Sequence, residues 1–378
     1  MDCSAGLWAI ASGNSEVNIK RIIPIVLFAA AVVAVHLGCA AAGKGFYLTQ
    51  LTMSVYYSIV VIGLCLVMGY AGQVSLGHGA FFAIGGYTSA VLTTYDFMRF
   101  KDATWAQALH HVKVFVMKQD VYGSNVMNVT PGAAFIAAMA LTFAVACLIG
   151  YPALRLKGHY LSMATLGFGV IVNKMVLGTS LTGSADGISG VPAWKLVPGL
   201  IVSGKSANRI ENYYIACGLA LVLLILLSNL VRSRIGRALQ AIHDRETAAN
   251  AIGINTAAYK LKAFVVSAML AAIAGVFFTH YSGGIGPSEA GALKSVRYVA
   301  LAAAGGMANL WGAMFVSTSI NFCSLRGWFG SYDNGVFGAI LIIMISAAPQ
   351  GPFKPLNLAL RRLLARCAGK RGGGHVPA

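Results

Sequence analysis

The sequence predicts an all-α, polytopic membrane protein of about ten transmembrane or re-entrant helices. Only 10% of its 378 residues are charged and 57% are hydrophobic, with a mean hydropathy of +0.72; a soluble globular domain carries about 25% charged residues. Apolar runs of about twenty residues recur along the chain, long enough at 1.5 Å per residue to cross a hydrocarbon layer of ~30 Å. A water-soluble chain of this length would divide into domains, each needing a polar surface that this composition cannot supply. The net charge of +17 comes without an aromatic-interleaved basic face or nucleic-acid motif, so it reads as an orientation signal.

Residues 1–21 form a short polar tail ending in Lys20-Arg21, ahead of a first span from Ile22 to Ala42. A cleaved signal peptide competes here because of Ala40-Ala41-Ala42, but the run exceeds the usual ~7–15-residue apolar core of such peptides. The second span, Leu48 to Met68, leads into GYAGQVSLGHGAFFAIGGYTSA (Gly69–Ala90), where six glycines interrupt the apolar pattern. A broken helix exposes peptide groups that must face protein or a water-lined cavity. Gly72, Gln73, Ser75, Gly77, His78 and Gly79 are therefore candidates for a solute path, against a reading in which the glycines only pack helices.

A third span ends near Tyr95. The polar connection Asp96–Thr130 reads as an extracytoplasmic loop with a partial amphipathic helix. Pro131 opens a fourth span, and the turn before His159 carries Arg155 and Lys157, marking it as cytoplasmic. The fifth span, Tyr160–Leu177, contains TLGFG (Thr165, Gly167 and Gly169), which echoes SLGHG at Ser75–Gly79 and raises an internal repeat. LTGSADGISGVP (Leu181–Pro192), with Asp186 at its centre, reads as an outer loop, exposed or gating. No GxxxxGK[ST] occurs, so it is not a nucleotide cradle.

The sixth span, Tyr213–Val231, runs into SRIGRALQAIHDRETAANAIG (Ser233–Gly253). From Arg232 to Lys262 the chain holds six basic and two acidic side chains. Leu239, Ile242, Ala249 and Ile252 fall at helical spacing, predicting one short amphipathic helix over 238–252 closed by Gly253. Such a helix lies in the headgroup region or is gripped by a partner. Spans at Leu261–Tyr281, Ala292–Ala304, Ala313–Leu325 and Gly335–Ala348 complete the membrane domain, 22–352, before a basic tail, 353–378. Placing both termini and the 232–262 segment inside puts the majority of the 28 Lys and Arg there.

Seven cysteines show no CxxC spacing, and neither disulfide nor metal site is expected. His110-His111 lacks other ligand-spaced partners, and no HExxH or nucleophile–base pair suggests an enzyme. An ion-coupled carrier usually depends on Asp, Glu or His within its spans. Only His36, His78 and His280 qualify, with no intramembrane carboxylate evident.

Six stretches in order, GYAGQVSLGHGAFFAIGGYTSA, PALRLKGHYLSMATLGFG, LTGSADGISGVP, RIGRALQAIHDRETAANAIGIN, YKLKAFVVSAMLAAIAG and GGMANLWG, resemble the permease subunit of branched-chain amino acid ABC importers, the LivM type. The resemblance covers about Thr49 to Pro352. It implies the ABC importer permease architecture in a bacterial inner membrane, with Arg237–Gly253 similar to the coupling helix that docks on an ATPase. Glu246, Ala248, Ala249 and Gly253 match its pattern, flanked by Arg237, His243 and Arg245. Implied partners are a second homologous permease, two cytoplasmic ABC ATPase subunits and an extracytoplasmic solute-binding protein; no cofactor is implied, and ATP chemistry belongs to the ATPase chains because no Walker motif is present. Leu, Ile and Val are the implied cargo, with urea, short amides or small carboxylates as the alternative. Arg297, where relatives usually carry an acid, GGMANLWG in place of GGLGSLWG, the insertion 99–129 and the basic tail depart from the pattern.

Overall fold

The computed structural model describes residues 23–98, 115–119, 125–154, 159–197 and 199–328, with isolated positions from 330 to 342. The polar N-terminal tail, His110-His111, the Arg155/Lys157 turn, most of the span expected over 335–348 and the basic C-terminal tail lie outside the described residues. The helices are α1 (Ile23–Ala41), α2 (Tyr47–Cys65, extended by a π turn Leu66–Tyr70), α3 (His78–Thr94), α4 (Pro131–Ala153), α5 (His159–Gly178) and α6 (Arg209–Arg232). They continue as α7 (Arg234–Asp244), α8 (Glu246–Ala251), α9 (Thr256–Ser282), α10 (Ala292–Gly305) and α11 (Leu310–Leu325). Among the described residues, three two-stranded antiparallel ribbons accompany them: β1 (Phe115–Gln119) with β2 (Asn125–Val129), β3 (Ile188–Ser189) with β6 (Gly284–Ile285), and β4 (Trp194–Val197) with β5 (Leu200–Val202). The described part of the 96–130 connection includes a hairpin, with Phe115 and Met127 buried; residues 99–114, which the expected partial amphipathic helix would need, lie outside the described residues.

Six described helices, α1, α2 with its π turn, α4, α5, α6 and α9, are long and apolar enough to cross a membrane. The expected count of about ten transmembrane or re-entrant helices is not confirmed: α3, α10 and α11 are shorter, with 17, 14 and 16 residues, and most of the span expected over 335–348 lies outside the described residues. Contacts fix which ends of α2, α9 and α11 lie together. At one end of the bundle the Tyr281 hydroxyl donates to Thr49 O and the Gln50 amide to Leu325 O; at the other the Tyr70 hydroxyl donates to Ala308 O at 2.6 Å. The second end carries α7 and α8, and the first carries the 179–208 loop.

The centre is built from α2, α3 and α9. Tyr56, Ile59, Ile62, Leu64, Phe81, Phe82 and Phe264 are fully buried there. A helix apolar all round is one that others surround, and α2 is such a helix. By contrast α4 buries only a stripe of small residues, Ala134, Ala138, Thr142, Ala146, Gly150 and Ala153, and turns Ile136, Phe143 and Leu148 outward. Small residues at four-residue spacing let helices approach where lipid removes the hydrophobic drive for association. α3 and α9 touch through their backbones: a Cβ added at Gly275 would strike the Phe82 carbonyl oxygen.

Two segments break the helical pattern in opposite senses. After α2 the chain turns at Gly72, whose φ of +67° favours glycine. It then runs non-helically through Gly77 and begins α3 only at His78. The His78 ring meets Ser267 Oγ at 2.7 Å, eleven residues along α9 and so roughly 16 Å from its start. From the opposite end, the chain leaves α9, passes β6 and a 3₁₀ turn over Pro287–Ala290, and begins α10 at Ala292. The Gly79 N–H donates to Ser295 Oγ at 3.1 Å, so the two half-length helices present their N-termini to each other at mid-depth. TLGFG, by contrast, lies within α5 and not at the start of a helix.

Candidate functional site: the 233–253 arm and the mid-depth break

The arm begins where α6 ends. Ser233 accepts the Ile235 N–H and caps α7, and Gly236 admits the Val231 carbonyl where a Cβ would collide. Gly236, Leu239 and Ile242 are buried at three-residue spacing, while Arg237, Gln240, His243 and Asp244 are exposed. The single helix expected over 238–252 is two helices, because Arg245 adopts an extended conformation (φ −152°, ψ 99°) between them. In α8, Ala249 is buried and Ala248 exposed. Ile252 is 75% exposed, off the apolar face that its spacing predicts. Glu246 faces its own chain: Lys260 donates to it at 2.6 Å and Thr256 at 3.4 Å, tying α8 to the first turn of α9. Gly253, at φ +85°, closes the arm with open space around it.

The arm touches the broken stretch directly. A Cβ on Gly72 would lie 2.6 Å from His243 Nδ1. From there Gln73 and Ser75 are buried, and the two echoing motifs pack on each other. The Leu76 N–H donates to Thr165 Oγ1 at 3.0 Å and Ser162 Oγ donates to Val74 O at 3.1 Å. A Cβ on Gly77 would approach Thr165 O to 3.0 Å, and Gly169 faces Leu76 O. Gly167 has nothing within 4 Å and stands apart from this contact. Asp186 is exposed at the far end, its N–H donating to Gly183 O.

Between the half-helices lies a group that the sequence pattern does not disclose. Glu289, 8% exposed, sits on the 3₁₀ turn, accepting the Tyr57 hydroxyl at 3.1 Å and the Lys294 ammonium at 3.0 and 3.1 Å. Its backbone oxygen approaches Gly79, which puts it at the level of the α3 N-terminus. The Lys294 Nζ lies 4.2 Å from the Tyr57 ring centroid, a cation–π seat. This corrects the expectation of no intramembrane carboxylate, and with it the compositional argument against an ion-coupled carrier. An isolated acid between glycine and proline reads as loop; the one available signal was Glu289 with Lys294 in a chain of 11 acidic residues. Arg297, one turn on, donates to Ser324 Oγ at 2.6 Å.

A family model described as the permease component of branched-chain amino acid transport systems matches residues 46–345. The high-affinity branched-chain amino acid transport system permease protein LivM of Escherichia coli K12 is 30% identical over 321 residues, covering 79% of this chain and 68% of that relative. LivM of Salmonella typhimurium LT2 is 29% identical over 320 residues with the same coverage. The permease protein BraD of Pseudomonas aeruginosa PAO1 is 26% identical over 318 residues, covering 81% of this chain and 95% of that relative. No solved structure matches.

Proposed function

This chain belongs to the family of branched-chain amino acid transport permease components, and from that premise we propose that it forms one half of the path through an ATP-driven importer of Leu, Ile and Val. It is a multi-pass membrane protein and a transport subunit, not an enzyme. We place the arm and both termini in the cytoplasm of a bacterial cell, because Arg232, Arg234, Arg237, Arg245, Lys260 and Lys262 gather at that end. Two ATPase subunits grip the arms of this chain and of a second homologous permease. A solute-binding protein docks at the loop end, where Asp186 lies.

One observation carries this reading: the arm exposes Arg237, Arg245, Ala248 and Ile252 to a partner while its His243 ring rests on Gly72 of the broken stretch. A partner that prefers one arm position shifts the bundle toward the matching state. An apolar side chain as open as Ile252 on an otherwise polar element supports partner burial, worth about 1.5–3 kcal/mol. Ile252→Asp is therefore expected to leave membrane insertion unchanged and to cut the ATPase recovered with the permease roughly tenfold or more, measured by affinity co-purification. Wild-type recovery would remove the arm from the docking site. Glu246→Lys acts differently, since it sets two ammonium groups against each other within the chain and displaces α8.

The broken stretch makes a second expectation. Gly77→Leu presses on the Thr165 backbone and Phe168 ring, so leucine uptake into vesicles should fall more than the amount of inserted protein. Gly167→Leu enters open space and should leave both unchanged. Equal uptake by the two variants would show that the contact between the motifs plays no part in transport.

A further inference from the structure

We infer that Glu289, Lys294 and the tyrosines around them, Tyr57, Tyr87 and Tyr298, form a mid-depth station that takes the ammonium and carboxylate of a zwitterionic amino acid. The inference rests on the importer reading and names where along the path the solute's charges are met.

Ionised groups at this depth are costly, and well-packed apolar residues commonly replace a buried ion pair without loss of stability. The pair therefore needs a reason beyond folding. It stands between the N-termini of α3 and α10, joined by the Gly79–Ser295 hydrogen bond, and Asn173 on α5 donates to Pro287 O to hold the 3₁₀ turn. Glu289 and Lys294 neutralise each other, while the Arg297 guanidinium one turn on is held by Ser324, so the pair itself has no net charge, as a zwitterion has none. Exchange then conserves charge: the solute carboxylate takes Lys294 and the solute ammonium takes Glu289.

The structure already displays the seat for an ammonium. The Lys294 Nζ contacts both Glu289 oxygens and lies over the Tyr57 ring, as a solute amine would once Lys294 swings to the carboxylate. The Lys294 side chain is 27% exposed, which leaves it room to swing. A second observation points to a ligand independently. The Tyr298 and Tyr87 hydroxyls, on residues 1% and 4% exposed, have no hydrogen-bond partner among the described residues; the Tyr298 ring lies 6.2 Å from that of Tyr57, which donates to Glu289, and Tyr87 follows Gly86 on the stretch of α3 along which 285–289 runs. Buried hydroxyls are normally satisfied. Two left open beside one ion pair are donors held for something that arrives.

The test uses the complete importer in proteoliposomes, with saturating binding protein loaded with L-leucine, reading leucine uptake and ATP hydrolysis together. A hydroxyl without a partner contributes nothing to the empty fold, so Tyr298→Phe should leave yield and melting temperature at wild-type values or slightly higher. Uptake should fall roughly tenfold, the scale of a lost hydrogen bond to a charged group, while ATP hydrolysis continues. The exchanged pair, Glu289→Lys with Lys294→Glu, keeps an ion pair and should fold but not transport. Wild-type uptake by both Tyr298→Phe and Tyr87→Phe, or restored uptake in the exchanged pair, overturns the station and makes the cluster a brace between the half-helices. Uptake by the unaltered chain that needs no ATP overturns the importer reading instead, and the variant comparison still decides the station.

Discussion

Gly275→Leu is expected to abolish the folded bundle while leaving insertion of the individual helices intact. At this point α9 lies against the backbone of α3, and a Cβ would strike the Phe82 carbonyl oxygen and crowd the Gly86 N–H. Overpacking that flexible side chains can absorb costs about 1–3 kcal/mol. Here the obstacle is main chain, so the cost should lie at or above about 3 kcal/mol, a large part of the roughly 5–15 kcal/mol that holds a typical domain together. Gly85 meets the Ala272 backbone along the same line of contact, so α3 cannot slide to make room. The expected readout is aggregated protein on size-exclusion chromatography in detergent, although membrane extraction shows normal insertion. Gly218→Leu, with nothing within 4 Å, should behave as wild type. A monodisperse Gly275→Leu protein with an unchanged melting curve would mean that α3 and α9 are not in backbone contact.

The second large effect comes from dividing the central ion pair. Lys294→Met leaves the Glu289 carboxylate buried with the Tyr57 hydroxyl as its remaining donor among the described residues, and removing one partner of a buried pair costs about 3–5 kcal/mol. The double variant Glu289→Gln, Lys294→Met removes both charges and should recover most of that loss, because the penalty belongs to the stranded charge. Thermal unfolding in detergent measures both. If the single variant is as stable as wild type, water reaches Glu289 freely and the site is not enclosed. If the double variant is no better than the single, the lysine stem rather than its charge holds α10 in place.

The sequence exposes some of these features and hides others for physical reasons. The break after α2 is legible because six glycines fall within 69–86, and a run so rich in glycine cannot continue an apolar helix without a cost per residue. The arm is legible because charge is rare elsewhere. Its division at Arg245 is not: Leu239, Ile242, Ala249 and Ile252 keep helical spacing across a backbone that the Glu246–Lys260 contact holds apart. Glu289 escapes notice because periodicity carries no information about a single acid in a non-helical turn. The likeness of TLGFG to SLGHG is real in sequence, but its structural meaning is mutual contact through Thr165, Leu76 and Gly77. No period in the chain specifies that Gly275 faces Phe82; only the assembled bundle does.

The rest of the imidazole of His243 against Gly72 has a mechanical consequence. A glycine has no side chain to bend out of the way, so an inward stroke of α7 is delivered to main chain without slack. The next rigid body along the chain is α3, six positions on at His78, and its start is bonded to Ser295 of α10. A thrust applied at the rim is thereby transmitted to the seam between two short rods in the middle of the bilayer, and the seam is where the Glu289 carboxylate waits.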